Sequence, residues 1–261
     1  MAFTVHAVMP GVWHIVDCMG VCMTLLEGEN AAMLVDTGYG IEDVADFMRH
    51  MTDLPLTVFL THNHHDHAMG ARCFPETYML EADMADWRMF TNDEMRRRVL
   101  TQAIGKNLTV DEKTFLAGEI PLPKVMKPGV IDLGGLTAEI IEAPGHTPGS
   151  AVVYVPEQKL LLSGDDWNPC TWLFFPQALG LREYRSNMRG IQQLPFEKVL
   201  CPHREALYDR WMFDDFFNAL TDGNLRAAEP VNIAPYEQID TCQATLPHDQ
   251  VLVFDWAKSG L

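Results

Sequence analysis

The sequence predicts an α/β fold in two halves, because strand-like segments followed by helical patterns occur twice. In the first half, short apolar segments separated by Gly or Asn turns indicate an antiparallel meander, at 12–17, 21–27 and 31–35. The same rhythm returns in the second half, at 136–142, 151–155 and 159–163. No sequence period of about 20–50 residues recurs, which argues against a solenoid or a propeller.

Helical patterns follow the strands of each half. In the first half, residues 41–50 have helical spacing, and the β-branched run at 56–61 ends directly in His62. The second half continues with two helical patterns and a short strand between them, at 182–193, 206–220 and 198–201. In the first half, the predicted buried strand at 56–61 therefore ends where a group of histidines begins.

A Met-rich helical pattern separates the two halves. It covers residues 81–116 and is followed by a stretch with Pro121, Pro123 and Pro128, residues that end helices. We predict a helical insertion over about 81–128, within a single domain that covers 1–261.

Composition limits the classes of partner. Of the 261 residues, 48% are apolar, which is enough for one substantial core or two fused half-cores. The formal net charge of −17 repels phosphate backbones, so we expect no nucleic-acid partner. The one basic run, Arg96 to Arg98, lies among acidic residues and is predicted to be a solvated, ion-paired helix face.

The sequence lacks the patterns of a signal peptide, a membrane-spanning segment and a CxxC pair. Residues 1–10 do not combine a basic start with an apolar run. No apolar stretch approaches the roughly 20 residues that span a bilayer. We therefore expect a cytoplasmic protein without a membrane partner. The six cysteines are dispersed without a CxxC pair, which indicates free, mostly buried thiols.

The segment HNHHDH, directly after the predicted strand at 56–61, has the ligand density of a metal site. Its candidate ligands are His62, His64, Asp66 and His67. Three more candidates each follow a predicted strand: His146 in GHTPG, Asp165 in SGD and His203 in CPH. A lone His or Asp is usually structural, but their number and order favour ligation. Imidazole and carboxylate suit zinc, iron or manganese, and the absence of thiolates argues against copper or iron–sulfur sites.

In this order, the motifs HNHHDH, GHTPG, GD and PH resemble those of the metallo-β-lactamase superfamily, across residues 36–203. The resemblance implies an αββα sandwich of two sheets faced by helices, with metals in loops at one end of the sheets. It also implies that a first metal is held by His62, His64 and His146, and a second metal by Asp66, His67 and His203. Asp165 is implied to bridge the two metals. We expect two divalent metal ions, zinc in the first place, with iron or manganese as alternatives.

Two further polar residues are expected to support the ligands. His65 falls outside the ligand alternation and is predicted to lie behind the ligands or at their rim. Asp36 matches the buried acid that the family has near its site. It is predicted either to orient a ligand imidazole or to hold the turn.

Aromatic side chains near the motifs have two interpretations. Four follow Asp165 closely and either wall a pocket beside the metals or belong to the core: Trp167, Trp172, Phe174 and Phe175. Trp87 and Phe90 belong to the Met-rich face of the insertion, which suits an apolar acyl chain and equally a second subunit. All six are assigned to the substrate pocket, with a homodimer as the alternative use of the insertion.

The ligand set implies a hydrolase that acts on a small-molecule substrate. A bridging hydroxide on the two metals is the expected nucleophile, with catalytic roles for Asp165 as the bridge and for Asp66 in proton transfer. Glyoxalase II-like thioesterases and lactonases of the family share all seven ligands. The predicted substrate is therefore an ester, a thioester or a lactone. The residues that grip glutathione in true glyoxalase II are not recognisable after His203.

Other activities fit the sequence less well. The family's β-lactamases are usually exported and lack an acidic ligand at the place of Asp165, and its flavodiiron proteins have a Glu where His64 stands. Its nucleases commonly carry RNA-gripping regions. A phosphodiesterase of the same fold is the alternative enzyme, disfavoured by the acidic charge. From a different class, the alternative is a metal-binding scaffold, although open positions on two metals are what catalysis requires.

Overall fold

Two β-sheets stacked face to face form the centre of the fold. The computed structural model describes residues 3–261, so the parts of the domain prediction and of the prediction for residues 1–10 that concern Met1 and Ala2 lie outside the described residues. The seven strands of the first sheet lie side by side in chain order: β1 (Thr4–Met9), β2 (Val12–Val16), β3 (Cys22–Glu27), β4 (Ala32–Val35), β5 (Leu56–Phe59), β6 (Tyr78–Met79) and β7 (Lys124–Val125). Pairing is antiparallel from β1 to β4 and parallel from β4 to β7.

The rest of the chain contributes two further sheets. Its strands are β8 (Gly129–Asp132), β9 (Thr137–Glu142), β10 (Ala151–Val155), β11 (Leu160–Leu162), β12 (Cys170–Leu173), β13 (Lys198–Leu200), β14 (Tyr208–Asp209), β15 (Glu229–Pro230), β16 (Thr241–Leu246) and β17 (Gln250–Asp255). The second sheet has the order β14, β13, β11, β10, β9, β8. The third sheet has the order β12, β17, β16, β15.

Helices cover the outer faces of the first two sheets. The helices of the chain are α1 (Val44–Met51), α2 (His65–Ala68), α3 (Trp87–Thr91), α4 (Asp93–Gly105), α5 (Glu112–Phe115), α6 (Leu181–Ile191), α7 (Arg210–Ala219) and α8 (Asp222–Arg226). Helix α1 begins after Asp43, whose side chain accepts from the backbone N–H of Asp46, and packs Met48 on the first sheet. Helices α6 and α7 pack Tyr184 and Phe213 on the second sheet. Within residues 3–261, no helix is long and apolar enough to cross a membrane.

One apolar core fills the space between the first two sheets. Leu26 and Phe59 from the first sheet pack in the same core as Val153 and Leu162 from the second. Strand β10 is covered by the first sheet on one face and by helices on the other, so all 5 of its residues are buried. Burial on both faces explains its unbroken apolar sequence. The predicted αββα sandwich is confirmed, and all six cysteines are free, as expected.

Neither β1 nor the third sheet follows from the sequence patterns described above. Strand β12 pairs in parallel with β17, near the end of the chain, and forms one edge of the third sheet. Strands β16 and β17 form a hairpin that packs Ala244 and Leu252 in the same core as Phe216 of α7. The third sheet therefore supports the aromatic segment that follows Asp165.

The segment between the two halves is helical over most of its predicted length. After a 3₁₀ turn at Glu81–Asp83, helices α3 to α5 bury Trp87 and Phe115 in a small core of their own. The predicted range 81–128 extends too far, because β7 pairs with β6 and belongs to the first sheet.

Arg96 departs from the predicted solvated arginine face. Its side chain is 1% exposed, whereas Arg97 and Arg98 are exposed. The guanidinium donates to the backbone carbonyl of Phe115 and, at 2.7 Å, to that of Gly118, at and just beyond the end of α5. A positive charge is stabilised beside the carbonyls at the end of a helix. The bonds of Arg96 therefore hold the end of α5 against α4, the helix that carries Arg96.

We expect Arg96→Met to lower the free energy of unfolding by about 2–4 kcal/mol, because the carbonyls that it pairs lose a charged donor. Urea unfolding followed by circular dichroism measures the difference. Arg97→Met, an exposed neighbour on the same helix, is the control and is expected to stay within about 0.5 kcal/mol of the parent. Equal effects of the two substitutions would show that Arg96 does not hold the insertion together.

Candidate metal centre

Four loops bring the predicted ligands together at one end of the sandwich. The HNHHDH segment follows β5 and continues into α2. His146 lies between β9 and β10, Asp165 follows β11, and His203 follows β13. Strands β11 and β13 are parallel, and β10 runs antiparallel to β11. The three loops of the second sheet therefore leave it at the same edge.

The seven predicted ligands form two groups joined by a carboxylate. Ligand atoms within each group lie within 4.8 Å of one another: His62, His64 and His146 in the first group, and Asp66, His67 and His203 in the second. Asp165 lies between the groups: one oxygen is 3.5 Å from Nε2 of His146, the other is 3.5 Å from Nε2 of His67, and both are 3.1 Å from Nε2 of His203. This is the arrangement that a bridging ligand requires.

In three buried imidazoles, the outer nitrogen, Nδ1, which faces away from the site, is fixed by a hydrogen bond to the rest of the chain. Thr61 donates its hydroxyl proton to Asp36, so its oxygen accepts from Nδ1–H of His62 at 3.1 Å. Nδ1–H of His67 donates to Asp36 at 2.9 Å. Nδ1–H of His146 donates to a backbone carbonyl of β12 at 2.6 Å. These bonds turn the three Nε2 atoms toward the site, and those of His62 and His67 have no hydrogen-bond partner.

His64 has the opposite orientation, and its partner was missed by the sequence reasoning. Its Nδ1 lies 2.8 Å from Nε2 of His146, while its Nε2 lies 2.7 Å from the side-chain amide of Gln177. The side-chain oxygen of Gln177 has no other hydrogen-bond partner. When the amide group is turned so that this oxygen faces His64, the oxygen accepts from Nε2–H of His64. His64 then offers Nδ1 to the site. A single Gln in the loop after β12 carries no sequence signal.

Buried atoms without hydrogen-bond partners show that the site fits a cation. They include Nε2 of His62, Nε2 of His67 and one oxygen of Asp165. A buried polar atom left unpaired costs about 1–3 kcal/mol. Imidazole nitrogens and carboxylate oxygens together are ligands for a divalent metal such as zinc, iron or manganese. The donor set therefore fits the metals that the sequence predicts.

His62 and Asp165 have the charge state that suits a metal. Burial, and then the neighbouring imidazole of His67, lowers the pKa of His62 well below its usual value, so the ring is neutral. Burial raises the pKa of Asp165, but the imidazoles of His203 and His67 outweigh burial and hold that pKa well below its usual range. A neutral imidazole and an ionised carboxylate are the forms that bind metals. Burial acts to lower the pKa of His67 and of His203, but the carboxylates of Asp165 and Asp66 outweigh burial and raise both, so these two imidazoles release a proton when a metal binds.

Asp36 makes both of the contacts considered for it. Its carboxylate accepts from His67 and, at 2.7 Å, from the backbone N–H of Thr61 at the start of the ligand loop. It therefore orients an imidazole and holds the turn. His65 lies at the rim, with its Nδ1 3.9 Å from an oxygen of Asp66. Neither Asp36 nor His65 belongs to the ligand groups.

Asp83, which the sequence patterns did not indicate, connects the HNHHDH loop and the GHTPG loop to the insertion. Its buried carboxylate accepts from the backbone N–H of Asn63 at 3.1 Å, from the Thr147 hydroxyl at 2.7 Å and from the backbone N–H of Gly149 at 2.6 Å. Burial raises the pKa of Asp83 to about 6, even though these three donors act to lower it. No motif surrounds Asp83 in the sequence, so its role is visible only in the fold.

Two of the predicted pocket residues, Trp172 and Phe175, lie on an accessible aromatic surface, and a third, Phe90, is buried beside His64. Phe90 and Phe175 flank the His64 ring, with centroids 4.4 and 4.6 Å from it. Trp172 is 37% exposed and lies beside Phe175. Tyr236, from the loop after β15, also packs against Phe175, at 5.4 Å. We call Trp172, Phe175 and Tyr236 the aromatic ledge. Tyr236 is too distant from the motifs in sequence to be associated with them.

The other three predicted pocket residues belong to the interior. Trp87, Trp167 and Phe174 are fully buried, so the prediction that they line a substrate pocket is wrong. Trp87 packs in the core of the insertion. Trp167 packs against Phe213 of α7. Phe174 stacks on Phe175 and supports the ledge from inside.

Two curated proteins are similar to this chain in sequence. The acyl-coenzyme A thioesterase MBLAC2 of Gallus gallus is 26% identical over 202 residues, which cover 69% of this chain and 70% of that protein. The linear primary-alkylsulfatase of Pseudomonas sp. (strain ATCC 19151) is 23% identical over 173 residues, which cover 54% of this chain and 32% of that protein. The match thus spans about a third of the alkylsulfatase.

Solved structures share the fold. A metallo-beta-lactamase from Pontibacter korlensis has a TM-score of 0.59 at 18% identity and covers 83% of this chain and 98% of its own. The sec-alkylsulfatase Pisa1 from Pseudomonas sp. has a TM-score of 0.64 at 15% identity, over 86% of this chain and 42% of its own. TTHA1623 in a di-iron-bound form has a TM-score of 0.54 at 19% identity, over 76% and 94%. At these identities the likeness shows the fold alone.

The family comparison covers the whole metal centre. The model of the metallo-beta-lactamase superfamily matches residues 16–203, more than half of the chain. The matched range begins at the end of β2 and ends at His203, so it contains all seven predicted ligands. The chain therefore belongs to the metallo-β-lactamase superfamily.

Proposed function

We propose that this superfamily hydrolase cleaves a small apolar thioester, ester or lactone, with a thioester as the first choice, in the manner of the glyoxalase II-like and lactonase-like branch. The observation that carries the proposal is the position of Asp165 between the two ligand groups, where its carboxylate would complete a site for two divalent ions. The similarity to an acyl-coenzyme A thioesterase supports the choice of a thioester.

Each ligand group is proposed to hold one ion. His62, His64 and His146 would hold the first ion, Asp66, His67 and His203 would hold the second, and Asp165 would contact both. Bound divalent ions supply a water of lowered pKa and neutralise the oxyanion that forms on an attacked carbonyl. The fixed outer nitrogens of the imidazoles keep the rings oriented during this reaction.

Asp66 is the proposed proton acceptor. One of its oxygens lies 3.7 Å from Nε2 of His67 and 3.7 Å from Nε2 of His203. The side chain is 16% exposed, whereas the three imidazoles of the first group are buried. A carboxylate at this position takes the proton of the attacking water and passes it to solvent.

The aromatic ledge is the proposed site for the apolar part of the substrate. Its central residue, Phe175, packs against the rings of His64 and His146, at 4.6 and 5.4 Å. A chain lying on the ledge therefore has its polar end beside the first ligand group. Aromatic walls with polar groups at one end suit an apolar acyl compound. The net charge of −17 disfavours the alternative, a phosphodiester.

A substrate panel tests the reaction class. The zinc-loaded protein is assayed with a medium-chain acyl thioester, a lactone, an aryl phosphodiester, an alkyl sulfate and a β-lactam. We expect kcat/KM for the thioester to exceed that for the phosphodiester by about tenfold or more. The highest rate on the phosphodiester would support the alternative enzyme. No turnover of any substrate would support a metal-binding scaffold.

We expect the parent to bind about two zinc ions per chain and Asp165→Ala to bind about one or fewer, because the bridging carboxylate is gone. Turnover should fall by more than the roughly 10–100-fold that loss of a ligand's supporting partner costs. Elemental analysis and kcat are the measurements. Asp215→Ala, which removes a partly exposed carboxylate of α7, is the control. A parent that holds a single ion at saturation contradicts the dinuclear site.

We expect Trp172→Ala to lower kcat/KM for long acyl chains about tenfold relative to short ones, because the ledge loses its most exposed ring. Zinc content should stay at the parental value, since His146 bonds to the backbone of residue 172 and not to its side chain. Trp211→Ala is the matched control, because Trp211 is 50% exposed on α7 and packs against His248. An unchanged chain-length preference in Trp172→Ala would remove the ledge from the substrate site.

A further inference from the structure

The loop that carries His203 is tied to the opposite half of the chain. The backbone N–H of Cys22, on β3, donates to the carbonyl of Pro202 at 2.7 Å. Nε2 of His14, on β2, lies 3.0 Å from the carbonyl of Arg204. The two bonds therefore flank His203, one on each side. A ligand from the second half is positioned by strands of the first half.

His14 makes its bonds as one tautomer of the neutral ring. A carbonyl can only accept, so Nε2–H donates to Arg204. Nδ1 then accepts from the hydroxyl of Thr24, which is 3.1 Å away and directly opposite on β3. Burial lowers the pKa of His14, in keeping with a neutral ring, and the residue is 1% exposed. Both ring nitrogens are thus paired, which fixes the ring between β3 and the His203 loop.

A cavity of about 10 Å³ lies beside His14. Its lining includes His14 with its partner Thr24, and Asp36 with its partner Thr61. Asp36 holds His67 directly, through Nδ1. The supports of His67 and His203 therefore meet around one small interior space.

We propose that His14 is a positioning residue for His203, and through it for the second metal. This inference rests on the proposed dinuclear site. His14 belongs to neither ligand group and acts through the Arg204 carbonyl. Burying an imidazole costs free energy unless its nitrogens are bonded, and an apolar side chain would fill the same space without ordering the loop. His14 therefore contributes oriented hydrogen bonds to the loop, and not only side-chain volume.

Two substitutions separate hydrogen bonding from packing. His14→Gln keeps a donor for Arg204 and an acceptor for Thr24, whereas His14→Leu keeps apolar bulk and neither bond. His6→Ala is the matched control. His6 lies opposite His14 in the β1–β2 register and pairs with Glu205 through an exposed side chain.

The first measurement is amide hydrogen exchange in the metal-free protein. We expect the amides of Cys22 and of residues 203–205 to exchange faster in His14→Leu than in the parent, because the loop loses the hydrogen bond from His14 to the Arg204 carbonyl. His14→Gln and His6→Ala should exchange at the parental rate. Unchanged exchange in His14→Leu overturns the positioning role, whatever the metal content.

The second measurement is zinc titration. We expect His14→Leu to weaken binding of one of the two ions about 10–100-fold, the range for losing a partner that orients a ligand, and His14→Gln to restore most of that affinity. Equal weakening of both ions, with a similarly lowered Tm in both variants, would make His14 a residue of the core only. A parent that binds fewer than two ions overturns the dinuclear proposal and this inference with it. A parent with two ions and an unaffected His14→Leu overturns this inference alone.

Discussion

Imidazole nitrogens and carboxylate oxygens converge at one end of the sandwich, and buried atoms of His62, His67 and Asp165 have no hydrogen-bond partner there. Buried acceptors in such a group repel one another and lose their hydration, so the arrangement is stabilised by positive charge, either protons on His67 and His203 or bound metal ions. The ligands come from both sheets, which means that the two halves of the chain must be held in register. Much of the surrounding polar structure serves this requirement.

The supporting bonds face away from the centre and are made by rigid parts of the chain. Asp36 and Thr61 sit where strands of the first sheet end, and β12 offers a backbone carbonyl. Asp83 joins the HNHHDH and GHTPG loops to the start of the helical insertion. Ligands held in this way need little rearrangement when a metal binds, so less of the binding free energy is lost to ordering.

The sandwich and the clustering of the candidate ligands could be predicted because their signals are repeated along the chain. Buried strands such as β10 are continuous apolar runs, and the ligand motifs occur in a fixed order. The remaining features depend on contacts between distant segments. Asp83, Gln177 and His14 are single residues without a motif, and β12 becomes a strand only by pairing with β17. Composition alone does not distinguish an aromatic residue of the core, such as Trp167, from one on an open surface.

His146 is fastened to β12 through a main-chain carbonyl, whereas the side chain of the same residue, Trp172, lies on the aromatic ledge. A main-chain acceptor is present whichever amino acid occupies the position. Mutations at 172 can therefore alter the proposed substrate surface during evolution while the bond to the candidate ligand His146 stays in place. Residue 172 is a point at which the proposed selectivity can drift among descendants that all inherit the same arrangement of candidate ligands.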